Sequence, residues 1–177
     1  MIKGELTSLR AVEYNDLDKL KLWRNNPDFR KNFREHKELN SVNQNLWFEK
    51  ISDSKNDYMF SIIEKNTNKL IGACGLLYID WIIRSADVSM YIGKDDLYID
   101  NDLAFDTSKN LFKYGFDTLH LEKLWMELYE FDKAKIDFFT KKFNFKIDGK
   151  LRNNCFYEGQ FYDSYIVSLL KTEFKYI

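Results

Sequence analysis

The chain has 177 residues, 45% of them hydrophobic and 31% charged, which fits one domain able to bury roughly 70% of its unfolded surface without disulfide or metal staples. Its 27 basic and 28 acidic residues leave a net charge of −1 with no basic block, so electrostatic capture of nucleic acid is not expected. Two cysteines at unrelated spacing argue against a disulfide framework or a zinc ribbon; with no apolar signal core in MIKGELTSLR and no run near the roughly 18 apolar residues of a span, a cytoplasmic chain off the membrane is expected.

In chain order, residues 6–13 alternate like a strand. Residues 16–24 follow with Leu17, Leu20 and Trp23 at helical spacing. Asn15 or Asp16 caps this helix, and Pro27 ends it. A second helix is expected over 42–51, capped by Ser41, with Leu46, Trp47 and Ile51 as its apolar stripe. Strands 58–64 and 70–79 flank the turn Asn66-Thr67-Asn68 as a hairpin, and 86–92 continues the meander. Cys74, inside the apolar run IGACGLLYI, reads as a small core residue. Residues 101–119 are helical in pattern, with a broad apolar face of Leu103, Leu111, Phe112, Tyr114 and Phe116. A strand over 123–129, a helix over 133–143 and strands over 145–147 and 162–170 complete the order β-α-α-β-β-β-α-β-α-β-β. No repeat, low-complexity tract or linker divides the chain, so 1–177 reads as a single domain. The 15 Phe and 11 Tyr fit either core filling or an aromatic-lined pocket. The only histidines, His36 and His120, lack metal-ligand spacing, and no metal is expected.

Three passages carry a resemblance. The first is TSLRAVEYNDLDKLKLWRNNPDFRKNF followed by QNLWFEKI. The second is ADVSMYIG with the loop and the helix near Ala104. The third is LEKLWMELYEFDKAKIDFFTKKFNFKIDGKLRNNCFYEGQFYDSYIVSLLKTEF. In this order they resemble the GNAT superfamily of acetyl-CoA-dependent N-acetyltransferases. The first looks like the branch that holds ribosomal-protein N-terminal and amino-sugar-nucleotide acetyltransferases; Trp23-Arg24-Asn25 and Trp47-Phe48 are most similar to the amino-sugar group. The resemblance implies an α/β (α+β) fold with a mixed, mostly antiparallel sheet splayed between its fourth and fifth strands, and helices on both faces. It implies acetyl-CoA as acyl donor. The implied acceptor is a primary amine of an amino-sugar nucleotide, a protein N-terminus or another small amine, and the implied assembly is a monomer or homodimer.

Acetyl transfer to nitrogen requires that the amine lose a proton and that charge developing on the thioester oxygen meet donors. By resemblance, Asp87 is the base; otherwise it faces solvent or pairs with Arg84. Met90, Tyr91 and Ile92 are the strand contacts to the pantetheine arm. Asn101, Asp102, Ala104 and Phe105 fall where the family wraps the diphosphate, and Asp132 and Phe139 where the next helix touches the cofactor. Arg24, Asn25, Phe33, Trp47, Trp81 and Tyr162 are the expected acceptor contacts. Two departures stand out. Asp100 and Asp102, with Asp95 and Asp96 just upstream, stand where the family has glycines and a basic residue and would repel a phosphate, and Phe139 or Thr140 stands where a Tyr acid is usual. They leave open a catalytically silent GNAT-fold protein that binds a ligand or partner.

Overall fold

The computed structural model describes residues 1–176. Eight strands form one sheet: β1 (Ile2–Lys3), β2 (Thr7–Ala11), β3 (Tyr58–Glu64), β4 (Lys69–Asp80), β5 (Ser85–Ile92), β6 (Lys123–Tyr129), β7 (Lys146–Tyr157) and β8 (Gln160–Leu170). Five α-helices accompany them: α1 (Leu17–Asn25), α2 (Pro27–Arg30), α3 (Ser41–Asp53), α4 (Leu103–Lys113) and α5 (Lys133–Lys142). The sheet order is β1-β2-β3-β4-β5-β6-β8-β7. Each pairing is antiparallel except that of β5 with β6, which is parallel and joins only Ser85–Asp87 to Lys123–Trp125. Beyond Asp87 the two strands share no register. The expected splay between 86–92 and 123–129 is therefore present.

Period-two alternation divides the sheet's side chains between two cores. Ala86, Val88, Met90 and Ile92 join Leu111 and Phe112 of α4 and Phe138 and Phe139 of α5 on one side. Ala73 and Tyr91 join Leu20 and Trp23 of α1 and Phe29 of α2 on the other. Phe112 sits at the centre of an aromatic cluster, with ring centroids 5.0 Å from Phe143 and 5.5 Å from Phe145. Most of the Phe excess is thus core. Phe112→Ala leaves a void that these rings cannot close. It is expected to cost about 3–5 kcal/mol, read as a lower urea midpoint at unchanged slope.

Asp106, in the first turn of α4, was not legible as structural. Its carboxylate accepts the backbone N–H groups of Glu5, Leu6 and Thr7 and the Thr7 hydroxyl at 2.8–3.0 Å. Burial opposes its charge, but these bonds outweigh burial and hold its pKa below the usual carboxylate range. The stability it contributes is complete above the ordinary carboxylate pKa and is lost as pH falls through the depressed folded value. It fastens the β1–β2 turn and the start of β2 to α4, and so fixes the turn through which the short β1 pairs with β2.

Several local expectations are corrected. Asp16 does not cap α1 with its side chain; it accepts Arg10 and the Ser61 hydroxyl instead. Pro27 follows the end of α1 and also opens α2, where its missing N–H costs nothing. Asn40, not Ser41, caps α3, through a reciprocal bond with Asn43. The long helical pattern 101–119 is a shorter α4 that relaxes into a π turn, Tyr114–Thr118. The strand expected over 145–147 runs on to Tyr157; its polar stretch hid it, because β7 is an exposed edge strand with register shifts at Ile147/Gly149 and Leu151/Cys155.

Candidate active site

A cavity of ≈ 490 Å³ is lined by Asp87–Tyr91 of β5 and Met126–Leu128 of β6, the segments that flank the splay. Arg24, Phe33 and Trp47 enter it from the α1–α3 side, and Lys135 and Phe139 enter from α5. Those two groups belong to opposite faces of the sheet. They meet because the sheet is open: the Lys135 ammonium lies 5.5 Å from the Phe33 ring centroid and 4.6 Å from that of Tyr98.

Asp87 is 1% exposed. Its carboxylate is paired with the Arg34 guanidinium. Neither alternative to a site role, solvent exposure or a pair with Arg84, is found; Arg84 is bonded to Glu122 at 3.1 Å. Burial pushes the Asp87 carboxyl up to about 6, with Arg34 pulling against it. Arg34 is held over Tyr78, 5.7 Å from the ring centroid. Tyr78 sits in a bulge of β4 that interrupts its pairing with β5 just past Leu77, the partner of Asp87, and has φ 49°. The bulge turns Tyr78 towards Arg34 and away from the regular pleat.

Two further charges complete the cavity. The Arg24 guanidinium packs 4.2 Å from the Phe33 centroid, and no carboxylate lies within salt-bridge distance of it among the described residues. Burial lowers its pKa, against the pull of Tyr91, Glu35 and Tyr98. Lys135 is 7% exposed. Burial brings its ammonium down to about 8, against Asp132. An ammonium so placed holds a proton near neutral pH and can release it.

Arg24, Phe33, Trp47, Asp87, Met90, Tyr91 and Phe139 thus line one cavity. The other expected site residues lie elsewhere. Asn25 clamps the Leu39 backbone through both its amide atoms at 2.8 Å. Trp81, in the β4–β5 turn, packs edge-on against Tyr58 and donates to Asn56. Tyr162 packs edge-on to Phe131, beyond the cavity's lining. Ile92 is core. Asp132 is the N-cap of α5 and accepts the Tyr98 hydroxyl at 2.7 Å. Phe105 stacks on Phe143, Ala104 is buried, and Asn101 and Asp102 are exposed. Arg34 and Lys135 were missed by the sequence reading. Arg34 lies in a charged stretch with no periodicity, and Lys135 looks like any solvated helix lysine; only the splay brings either to Asp87.

The acyl end of coenzyme A fits this architecture. Past Asp87, the β6-facing edge of β5 is unpaired and offers backbone donors and acceptors to an amide-bearing arm. The diphosphate end does not fit the start of α4 as it stands. The backbone amides of Asp102, Leu103 and Ala104 already donate to the Asp100 carboxylate, at 3.1, 2.9 and 2.7 Å.

Comparison with known proteins agrees with the geometry. Residues 7–141 match the family described as "Acetyltransferase (GNAT) domain". The chain is 30% identical over 115 residues to the uncharacterized N-acetyltransferase p20 of Bacillus licheniformis, a match that spans 65% of this chain and 63% of that protein. Spermidine N-acetyltransferase from Vibrio cholerae, in complex with CoA and spermine, superposes with a TM-score of 0.86 over 95% of this chain and 97% of that one, at 21% identity. A dodecameric structure of the same enzyme gives 0.78 over 95% of each chain at 22% identity. At such identity the two superpositions speak to fold alone. No helix among the described residues is long and apolar enough to cross a membrane. The sheet parted beside a buried carboxylate and the match over most of the chain carry the same conclusion: the chain belongs to the GNAT acetyltransferase family.

Proposed function

We propose that the chain is an acetyl-CoA-dependent N-acetyltransferase whose acceptor is a small primary amine that also carries an anionic group. One observation carries the anionic part: the Arg24 guanidinium stands in the cavity with no carboxylate bonded to it among the described residues. A planar cation so held suits bidentate binding of a phosphate or carboxylate. The lining adds Arg34, Lys37, Lys50 and Lys135 against Glu35, Asp87 and Glu127, a balance of five basic to three acidic groups. Polyamine acceptors, suggested by the spermidine enzyme's name, meet that balance as like charge. The aromatic faces of Phe33 and Trp47 suit a sugar or base next to the anion. An amino-sugar nucleotide combines all three features.

In this reading Asp87 takes the amine proton, directly or through one water. The donor supplies an activated acetyl group as its thioester. A C–N bond forms, the C–S bond breaks, and the departing sulfur takes a proton from Lys135. Arg34 positions Asp87 and keeps most of it ionised at neutral pH.

Arg24→Met tests the anionic acceptor. Loss of a charge-assisted pair is worth about 1.5–3 kcal/mol, so KM for an anionic amine is expected to rise roughly ten- to a hundredfold. KM for acetyl-CoA should stay put. Spermidine should be a poor acceptor for the parent and should improve in the variant. A parent that prefers spermidine, with no response to Arg24→Met, would contradict the assignment of the anionic group.

A further inference from the structure

β5 and β6 are parallel where they pair, so their carboxyl ends lie at one edge of the sheet. Each strand is followed by a helix, α4 after β5 and α5 after β6. In open α/β arrangements that edge is where a ligand's phosphates meet helix N-termini. Here both N-termini are filled from within the chain. The Asp100 carboxylate takes three amides at the start of α4. Asp132 takes the Lys135 amide at the start of α5.

The cations of this edge are mostly committed too. Lys94, in the β5–α4 loop, is bonded to Glu64 at 2.7 Å. Lys31 is bonded to Asp28 at 3.2 Å. Lys133 is exposed and has no carboxylate within salt-bridge distance among the described residues. Asp95, Asp96 and Asp102 lie exposed around the same loop. A diphosphate placed here would have to evict Asp100 and then sit among like charges.

We infer that the chain holds its acyl donor by the pantetheine arm alone, and that the nucleotide half of coenzyme A is dispensable for binding. The donor class is the acyl-pantetheine thioester, of which acetyl-CoA is one member. The inference rests on the acetyltransferase reading, since it concerns the donor of that same site. The open edge of β5 supplies what holds the arm. Asp100 occupies the place of the phosphate and so lowers the preference for coenzyme A over shorter thioesters.

The test is calorimetric binding of acetyl-CoA and acetyl-pantetheine to the parent protein and to Asp100→Gly. A cradled diphosphate is worth about a hundredfold or more in affinity. The parent should therefore bind the two donors within about tenfold of each other. Asp100→Gly frees three amides, so acetyl-CoA should tighten by roughly ten- to a hundredfold while acetyl-pantetheine stays unchanged. Asp100→Asn keeps the helix cap and removes the charge; it should shift the ratio the same way by less, and it replaces the glycine variant if that one does not fold. A parent that binds acetyl-CoA more than a hundredfold tighter than acetyl-pantetheine overturns the inference and leaves the acetyltransferase reading intact. A parent that binds neither overturns both.

Discussion

Asp87→Asn is expected to lower kcat by roughly 10²–10⁴, the usual worth of a positioned base, with donor affinity unchanged. The side chain keeps its shape, so only basicity is lost. The carboxyl lies in the cavity, is buried, and is lifted to about 6 with Arg34 beside it. A base must be ionised to act, so kcat/KM of the parent should rise through about pH 6. The variant should lose that limb. Its deficit should shrink at high pH, where more of the amine is already neutral. Stability supplies an independent reading. A carboxyl whose folded pKa is raised stabilises the fold fully below the unfolded pKa, and that contribution is lost as pH rises through the folded one. At neutral pH the ionised Asp87 is therefore a burden on the fold, and the Asn variant should melt no lower than the parent. A variant that keeps parental turnover and pH profile would remove Asp87 from the mechanism.

Lys135→Met should lower kcat by about 10²-fold, the lower end for a positioned acid, because a thiolate leaves tolerably without help. Methionine fills the same volume and suits the Phe33 and Tyr98 rings that now pack against the lysine. The expected signature lies in the pH profile. Lys135 holds its proton below about 8, so the parent profile should fall above that pH, and the variant should lose the alkaline limb. Acceptor KM separates this role from a merely electrostatic one. If Lys135 instead holds the acceptor's anion, KM should rise and the alkaline limb of kcat should persist.

The fold was legible where periodicity is strong. Leu17, Leu20 and Trp23 marked α1, and the apolar runs marked β3, β4, β5 and β6, because burial on one or two faces leaves a regular pattern. It was illegible at β7, which is exposed and bulged, and at β1, whose turn into β2 is held by Asp106 from 100 residues away rather than by its own sequence. The site divides in the same way. Asp87, Arg24 and Phe33 were reached through the family resemblance, Asp87 also because a carboxylate amid an apolar strand needs a reason and Arg24 through its triplet. Arg34 and Lys135 depend on the gap between β5 and β6, a tertiary feature that no local pattern encodes. Asp100 was read as a charge that repels phosphate. The structure adds that it fills the amides a phosphate would use.

Amine-dependent release of free thiol from acetyl-CoA tests the central claim most directly, followed with a thiol reagent and with mass analysis of the acceptor. Primary amines bearing a phosphate or carboxylate, amino-sugar nucleotides among them, should release one thiol for each acetyl group found on nitrogen. Asp87→Asn should reduce that release to near background. Binding of acetyl-CoA without amine-dependent release, across anionic, neutral and polyamine acceptors alike, would contradict the account.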